Sequence, residues 1–160
     1  MANTRKSRAI PALHTPESTI AALARVVELM LDQEDLTIQR YRVLIYLASE
    51  PASTTELADR LSVRPPTVTR LVDGLAARGY VERQADETDG RRSTHVLTQS
   101  GQLALKRSIA AIGRAMDNIG RNLTASERRR ADAGLALWAK AMQDQWLHTH
   151  PGVEVPPRRS

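Results

Sequence analysis

Ser62, Arg64, Pro66, Thr67, Thr69 and Arg70 fall in one short stretch of the chain, and Arg91 and Arg92 follow farther on, with Asp89 two positions before Arg91. A guanidinium carries two parallel donors that match guanine O6 and N7 or a phosphate, and short hydroxyls reach phosphates or thymine edges. An aspartate two residues from an arginine can hold that guanidinium in one direction, as a narrow and strongly negative minor groove requires. The same residues also fit a solvated helix face and a solubilising turn, since Asp86, Glu87 and Asp89 offset the arginines. The elements that carry the residues therefore decide between the readings.

Ser53-Thr54-Thr55-Glu56 is a capping box, in which serine and glutamate satisfy the free amides of a helix start. It opens a short helix to about Leu61, with Leu57, Ala58 and Leu61 on its buried side. After the turn Ser62-Val63-Arg64, Pro65-Pro66 opens a second helix whose Val68, Leu71, Val72 and Leu75 keep the spacing of a buried face. That face leaves Ser62, Arg64, Pro66, Thr67, Thr69, Arg70 and Asp73 outward or lateral. Proline in the first turn removes amides that would otherwise bind a phosphate, so hydroxyls and arginines must supply most donors. Gly79 is placed to end the helix in a left-handed cap. From Tyr80 the period changes: Tyr80 to Arg83 and Ser93 to Thr98 alternate in character around a polar, glycine-containing loop, which predicts a hairpin.

Helices are expected on both sides of this unit. Thr15-Pro16 starts one that runs to about Gln33, with Ile20, Leu23, Val27, Met30 and Leu31 on a stripe, and another spans about Ile38 to Ser49 with Tyr41, Leu44, Ile45 and Ala48 repeating. Thr98 to Gly101 begins a pattern with Leu103, Leu105, Ile109, Ile112, Met116 and Ile119. A second capping box, Thr124 to Glu127, opens the last helix, through Leu135, Trp138 and Met142 to about Leu147. The flanking helices carry more apolar stripe than a small winged domain needs, which suggests a helical dimerisation layer. The expected organisation is a flexible basic tail over 1–14, a single domain over 15–150, and a second flexible tail over 151–160. Within the domain the winged helix-turn-helix covers about 37–98, and the dimerisation helices about 16–33 and 99–147. The fold class is mainly α with a small β-hairpin wing.

The chain has 160 residues, 41% of them apolar, but no Phe, three Tyr and two Trp, so its core must be built from aliphatic side chains, which suits helix-on-helix packing. The net charge of +5 is concentrated at the ends: residues 1–14 contribute +3 and residues 151–160 contribute +1, while the other 136 residues hold 18 basic and 17 acidic groups. Bulk charge thus says little, and nucleic-acid binding must rest on the placement of particular arginines. The absence of cysteine removes disulfides, thiolate ligands and thiol chemistry from the chain. No apolar run has signal-peptide or membrane-spanning length, so a cytoplasmic protein without membrane contact is expected. No catalytic triad order, carboxylate pair or glycine-rich phosphate loop is readable, which points away from an enzyme and from a cofactor. His148 and His150 are paired at a helix end, far from His14 and His95, and are not read as a metal site.

Asp89-Gly90-Arg91, five residues, then Leu97-Thr98, with Gly101 following, resembles the wing signature of the MarR-type transcriptional regulators. Arg64 to Asp73 is similar to that family's recognition helix, and Arg78 to Val81 to its helix-to-strand junction. The resemblance extends in element order over residues 16 to 147, with its specific motifs between 54 and 101. It implies a homodimer formed by the terminal helices, with two winged domains on an inverted-repeat operator in double-stranded DNA. Ser62, Arg64, Pro66, Thr67, Thr69 and Arg70 would contact the major groove or its phosphates. Arg91 would enter the minor groove, oriented by Asp89, with Arg92 beside it on a phosphate. It also implies a possible small-molecule effector, aromatic or phenolic, in a crevice that Tyr41, Arg42 and Tyr46 would line, although tyrosines packed at a helix junction fit those positions equally. A repressor released by ligand is the simplest two-state coupling. A winged-helix assembly module for a protein partner, and a constitutive DNA binder without effector, remain the alternatives.

Overall fold

The computed structural model describes residues 15–85 and 93–149, so the tails at 1–14 and 150–160 and the hairpin loop at 86–92 lie outside the described residues. The order of elements is α1 (Pro16–Gln33), α2 (Ile38–Ser49), α3 (Thr54–Leu61), α4 (Pro65–Ala76), β1 (Val81–Ala85), β2 (Ser93–Leu97), α5 (Gln99–Gly120) and α6 (Ala125–Thr149). None of these helices is long and apolar enough to cross a membrane.

Local chemistry fixes the helix starts. Thr15, Thr37, Ser53 and Thr98 each accept a hydrogen bond from an amide of the first turn, which satisfies a donor that the helix leaves free. Glu127 accepts from the Thr124 amide at 2.8 Å, and its own amide donates to the Thr124 hydroxyl at 3.3 Å, so α6 also starts on a capping box. Three helix ends share one device. Asp35, Ser62 and Gly79 stand in the left-handed region, and the next residue donates back five positions: Leu36 to Leu31, Val63 to Ala58 and Tyr80 to Leu75, at 2.9, 3.0 and 3.0 Å. Arg78, beside the last of these corners, pairs with the Asp35 carboxylate and donates to the Asp35 carbonyl at the first.

The core surrounds α2, which packs against α1, α3, α4, α5 and β2. Leu31, Val43, Leu44, Leu57, Val68 and Leu75 are fully buried there, each such side chain contributing roughly 1.5–3 kcal/mol. The hairpin is antiparallel, with Val81 opposite Leu97, Arg83 opposite His95 and Ala85 opposite Ser93. Its first strand begins one residue later than the sequence suggests and runs on to Ala85.

Two helical stripes differ from expectation. On α2 the buried positions are Val43, Leu44 and Leu47, whereas Ile45 and Ala48 face outward, because neighbours on several sides turn a different arc of the helix inward. On α5 the buried face is Gly101, Ala104, Leu105, Ser108 and Ala111, whereas Leu103, Ile109 and Ile119 are exposed. Small residues do the packing there because α5 lies close to its neighbours. A Cβ on Gly101 would stand 2.1 Å from the Tyr80 carbonyl oxygen, which accepts the Thr98 amide at 3.1 Å. The Thr98 hydroxyl also donates to the Gly79 carbonyl at 2.6 Å, so the start of α5 is fastened to the junction between α4 and β1.

Candidate nucleic-acid interface

The pair α3–α4 is held from beneath. Leu57, Ala58 and Leu61 on α3 and Val68, Val72 and Leu75 on α4 are buried in one cluster, which fixes the two helices against each other. Ser62, Arg64, Pro66, Thr67, Thr69, Arg70 and Asp73 are all exposed, so the structure brings the sequence-predicted residues of this stretch onto one outward surface. Arg64 and Arg70 have no carboxylate partner among the described residues, whereas Arg60 and Arg78 are tied to Glu50 and Asp35. The first two arginines are available to an outside anion, and the other two hold the frame.

The start of α4 offers no amide to a phosphate. Pro65 and Pro66 have no N–H, and the amides of Thr67 and Val68 both donate to the Arg64 carbonyl, at 2.9 and 3.4 Å. Donors on this surface must be side chains. The Thr69 hydroxyl donates to the Pro65 carbonyl at 3.2 Å, which spends its proton inside the helix and leaves the methyl group as its apolar outward feature. Thr67 has no such bond among the described residues and keeps its hydroxyl.

β1 and β2 lead toward the loop 86–92, and the Arg83 guanidinium donates to the Ser93 hydroxyl at 2.6 Å across the hairpin near that loop. Asp89, Arg91 and Arg92 lie outside the described residues.

Tyr41, Arg42 and Tyr46 all lie on α2. The Tyr46 hydroxyl donates to the Arg60 carbonyl at 3.1 Å, and the Arg60 guanidinium stands 5.8 Å from the ring centre, so Tyr46 joins α2 to α3. Tyr41 is half-buried against the core, where burial raises its pKa, and Arg42 is exposed. A cavity of about 300 Å³ opens elsewhere, between the end of α2, β2 and the start of α5, lined by Leu47, Glu50, Pro51, Val96, Leu97 and Gln102 among others.

Sequence reasoning missed the part His95 plays. Its ring is buried, and its Nε2 lies 3.0 Å from the Thr54 hydroxyl at the start of α3. Strand alternation carries the signal, because a residue between Ser93 and Leu97 on the inward side of β2 must be buried.

The MarR family model matches residues 34–92, from the turn after α1 through the hairpin loop. The HTH-type transcriptional regulator TtmR of Methylorubrum extorquens is 31% identical over 137 residues, which is 84% of this chain and 67% of that protein. The uncharacterised HTH-type transcriptional regulator ML2140 of Mycobacterium leprae is 35% identical over 88 residues, and the match spans 54% of this chain and only 62% of that protein. Among solved structures, a mutant of Staphylococcus aureus MepR bound to an oligodeoxyribonucleotide superposes with a TM-score of 0.62, at 21% identity, over 79% of this chain and 94% of that one.

Proposed function

Since the chain belongs to the MarR family of helix-turn-helix transcriptional regulators, we propose that it is a homodimeric repressor that reads a pseudo-palindromic operator. The observation that carries this reading is the exposed α3–α4 surface. It sets Ser62, Thr67 and two arginines without carboxylate partners among the described residues on α4 and the turn before it, where α3 and α4 bury their opposite faces in the core. Arg70 reads a guanine edge, the Thr69 methyl meets a thymine methyl, and Ser62, Arg64 and Thr67 hold phosphates beside Pro66. Arg91, oriented by Asp89, enters the minor groove from the hairpin loop, and Arg92 takes the adjoining phosphate.

Support for the dimer comes from α6. No residue of this helix of 25 is buried, and Leu135, Trp138 and Met142 form a stripe that is 50%, 67% and 65% exposed. Ile20 on α1 and Leu103 on α5 are exposed as well, so apolar surface is left over on all three flanking helices. A second copy of the chain covers it, and twofold symmetry then sets the two α4 helices on successive half-sites. Release follows when a small ligand enters between the winged and helical layers, where the cavity beside Val96 and Leu97 supports such a site.

Binding to the promoter region flanking the gene tests this reading. Arg70→Ala is expected to weaken it on the order of tenfold to a hundredfold and to leave the dimer intact, and affinity is expected to fall steeply with salt. Parent-like binding by both Arg70→Ala and Arg64→Ala would overturn it. Salt-independent capture of a protein partner with no DNA bound would favour the assembly module instead.

A further inference from the structure

His95 lies where three elements meet. Its backbone pairs with Ala52, the His95 amide donating to the Ala52 carbonyl at 2.8 Å and the Ala52 amide to the His95 carbonyl at 3.2 Å. Its ring is 8% exposed, with Nε2 on the Thr54 hydroxyl and Nδ1 buried without a hydrogen-bond partner among the described residues. The first contact ties β2 to the segment before α3, and the second ties it to the first turn of α3. Two residues away, Arg83 donates to Ser93, so the same strand is also held near the loop.

We propose that His95 is a pH-sensitive latch that fastens the hairpin to the start of α3, and that protonation of its ring frees the hairpin and weakens DNA binding. The proposal rests on the reading of α4 and the hairpin as one DNA-binding unit. A neutral imidazole has one donor and one acceptor nitrogen, and either tautomer can bond the Thr54 hydroxyl. Protonation makes both nitrogens donors, and Nδ1–H then has no acceptor at a site closed to water. Breaking the latch exposes the ring and satisfies it.

The groups around the ring favour the neutral form. Burial lowers the pKa of His95 from the ordinary 6.5, Arg83 opposite it on β1 lowers it further, and Asp73 on α4 acts against them more weakly. From α3 the Thr54 hydroxyl meets the ring. Glu50 at the end of α2 is held by Arg60, and the first turns of α5, Gln99 to Leu105, carry no titratable side chain. A histidine whose folded pKa lies below its unfolded value gives its full stability above about pH 6.5 and loses it as the pH falls from there toward the folded value. The direction is diagnostic, because added positive charge on a surface that faces DNA would instead strengthen phosphate binding.

The full-length chain is titrated from about pH 8 to pH 5, with NMR of the His95 ring and hydrogen exchange of the Ala52 and His95 amides. Binding of the promoter fragment is followed in parallel by fluorescence anisotropy. The expected result is titration of His95 below the ordinary value, loss of protection at both amides over the same range, and a fall in affinity on the order of tenfold. His95→Gln and His95→Val, which cannot titrate, are expected to show affinities that no longer fall on acidification. The latch is overturned if His95 titrates at or above the ordinary value with both amides still protected, or if either folded variant keeps the parent's fall. The parent titration decides the matter even if neither variant folds. Amides that respond while no DNA binds at any pH would overturn the operator reading and leave the latch standing.

Discussion

α4 and α6 both carry apolar residues at helical spacing, yet the 12-residue α4 buries Val68, Val72 and Leu75 while the 25-residue α6 buries nothing. The difference lies in what surrounds them. α4 packs on α2 and α3 and is followed at once by the hairpin, whereas on α6 Arg128 pairs with Asp117 of α5. A stripe of apolar residues therefore announces that a helix has a partner without saying whether that partner is in the same chain. α4 finds its cover within the chain, whereas α6 leaves its apolar stripe exposed.

Substitutions that separate the two regions make the contrast testable. The largest effects belong to the packed interior: Leu57→Ala, at a fully buried position, is expected to cost about 2–5 kcal/mol in urea unfolding, and Gly101→Ala, where α5 meets the α4–β1 junction, about 3 kcal/mol or more because the new Cβ would meet the Tyr80 carbonyl. Trp138→Glu comes next. It is expected to lower the dimer population on sedimentation while helix content, read by circular dichroism, stays close to that of the parent, since the side chain touches no core. Dimer formation unchanged by this substitution would place the interface elsewhere. The smallest effect is a gain: Ser62→Gly removes the cost of a side chain in the left-handed region and should stabilise the fold by about 0.5–1 kcal/mol, read from the thermal midpoint. That variant also deletes a proposed phosphate contact, so its DNA affinity should fall while its stability rises.

What the sequence made legible is what depends on near neighbours. The caps at Thr15, Ser53 and Thr124, the left-handed end at Gly79 and the hairpin following Tyr80 are encoded within a few residues, and each stands where the pattern puts it. The outward face of α4 was legible for the same reason, because the positions of Val68, Val72 and Leu75 fix it. The faces of α2 and α5 were not. Which arc of α2 turns inward depends on elements distant in sequence, and the packing of α5 relies on Gly101, Ala104, Ser108 and Ala111, residues that carry little weight in a hydrophobic pattern. His95 escaped notice because its meaning depends on Ala52 and Thr54, far from it along the chain. The place of Tyr46 likewise depends on Arg60, 14 positions on, which stands over its ring.

The grip of Arg78 on Asp35 connects the corner that ends α1 to the corner that follows α4. Both corners are closed by short backbone bonds with little slack. In the proposed dimer α1 belongs to the layer that joins the two copies, so this contact links a tilt of that layer to α4. On that proposal the gap between the two α4 helices would gauge how the copies are joined, and a change in the seam would put them out of step with the turn of the double helix.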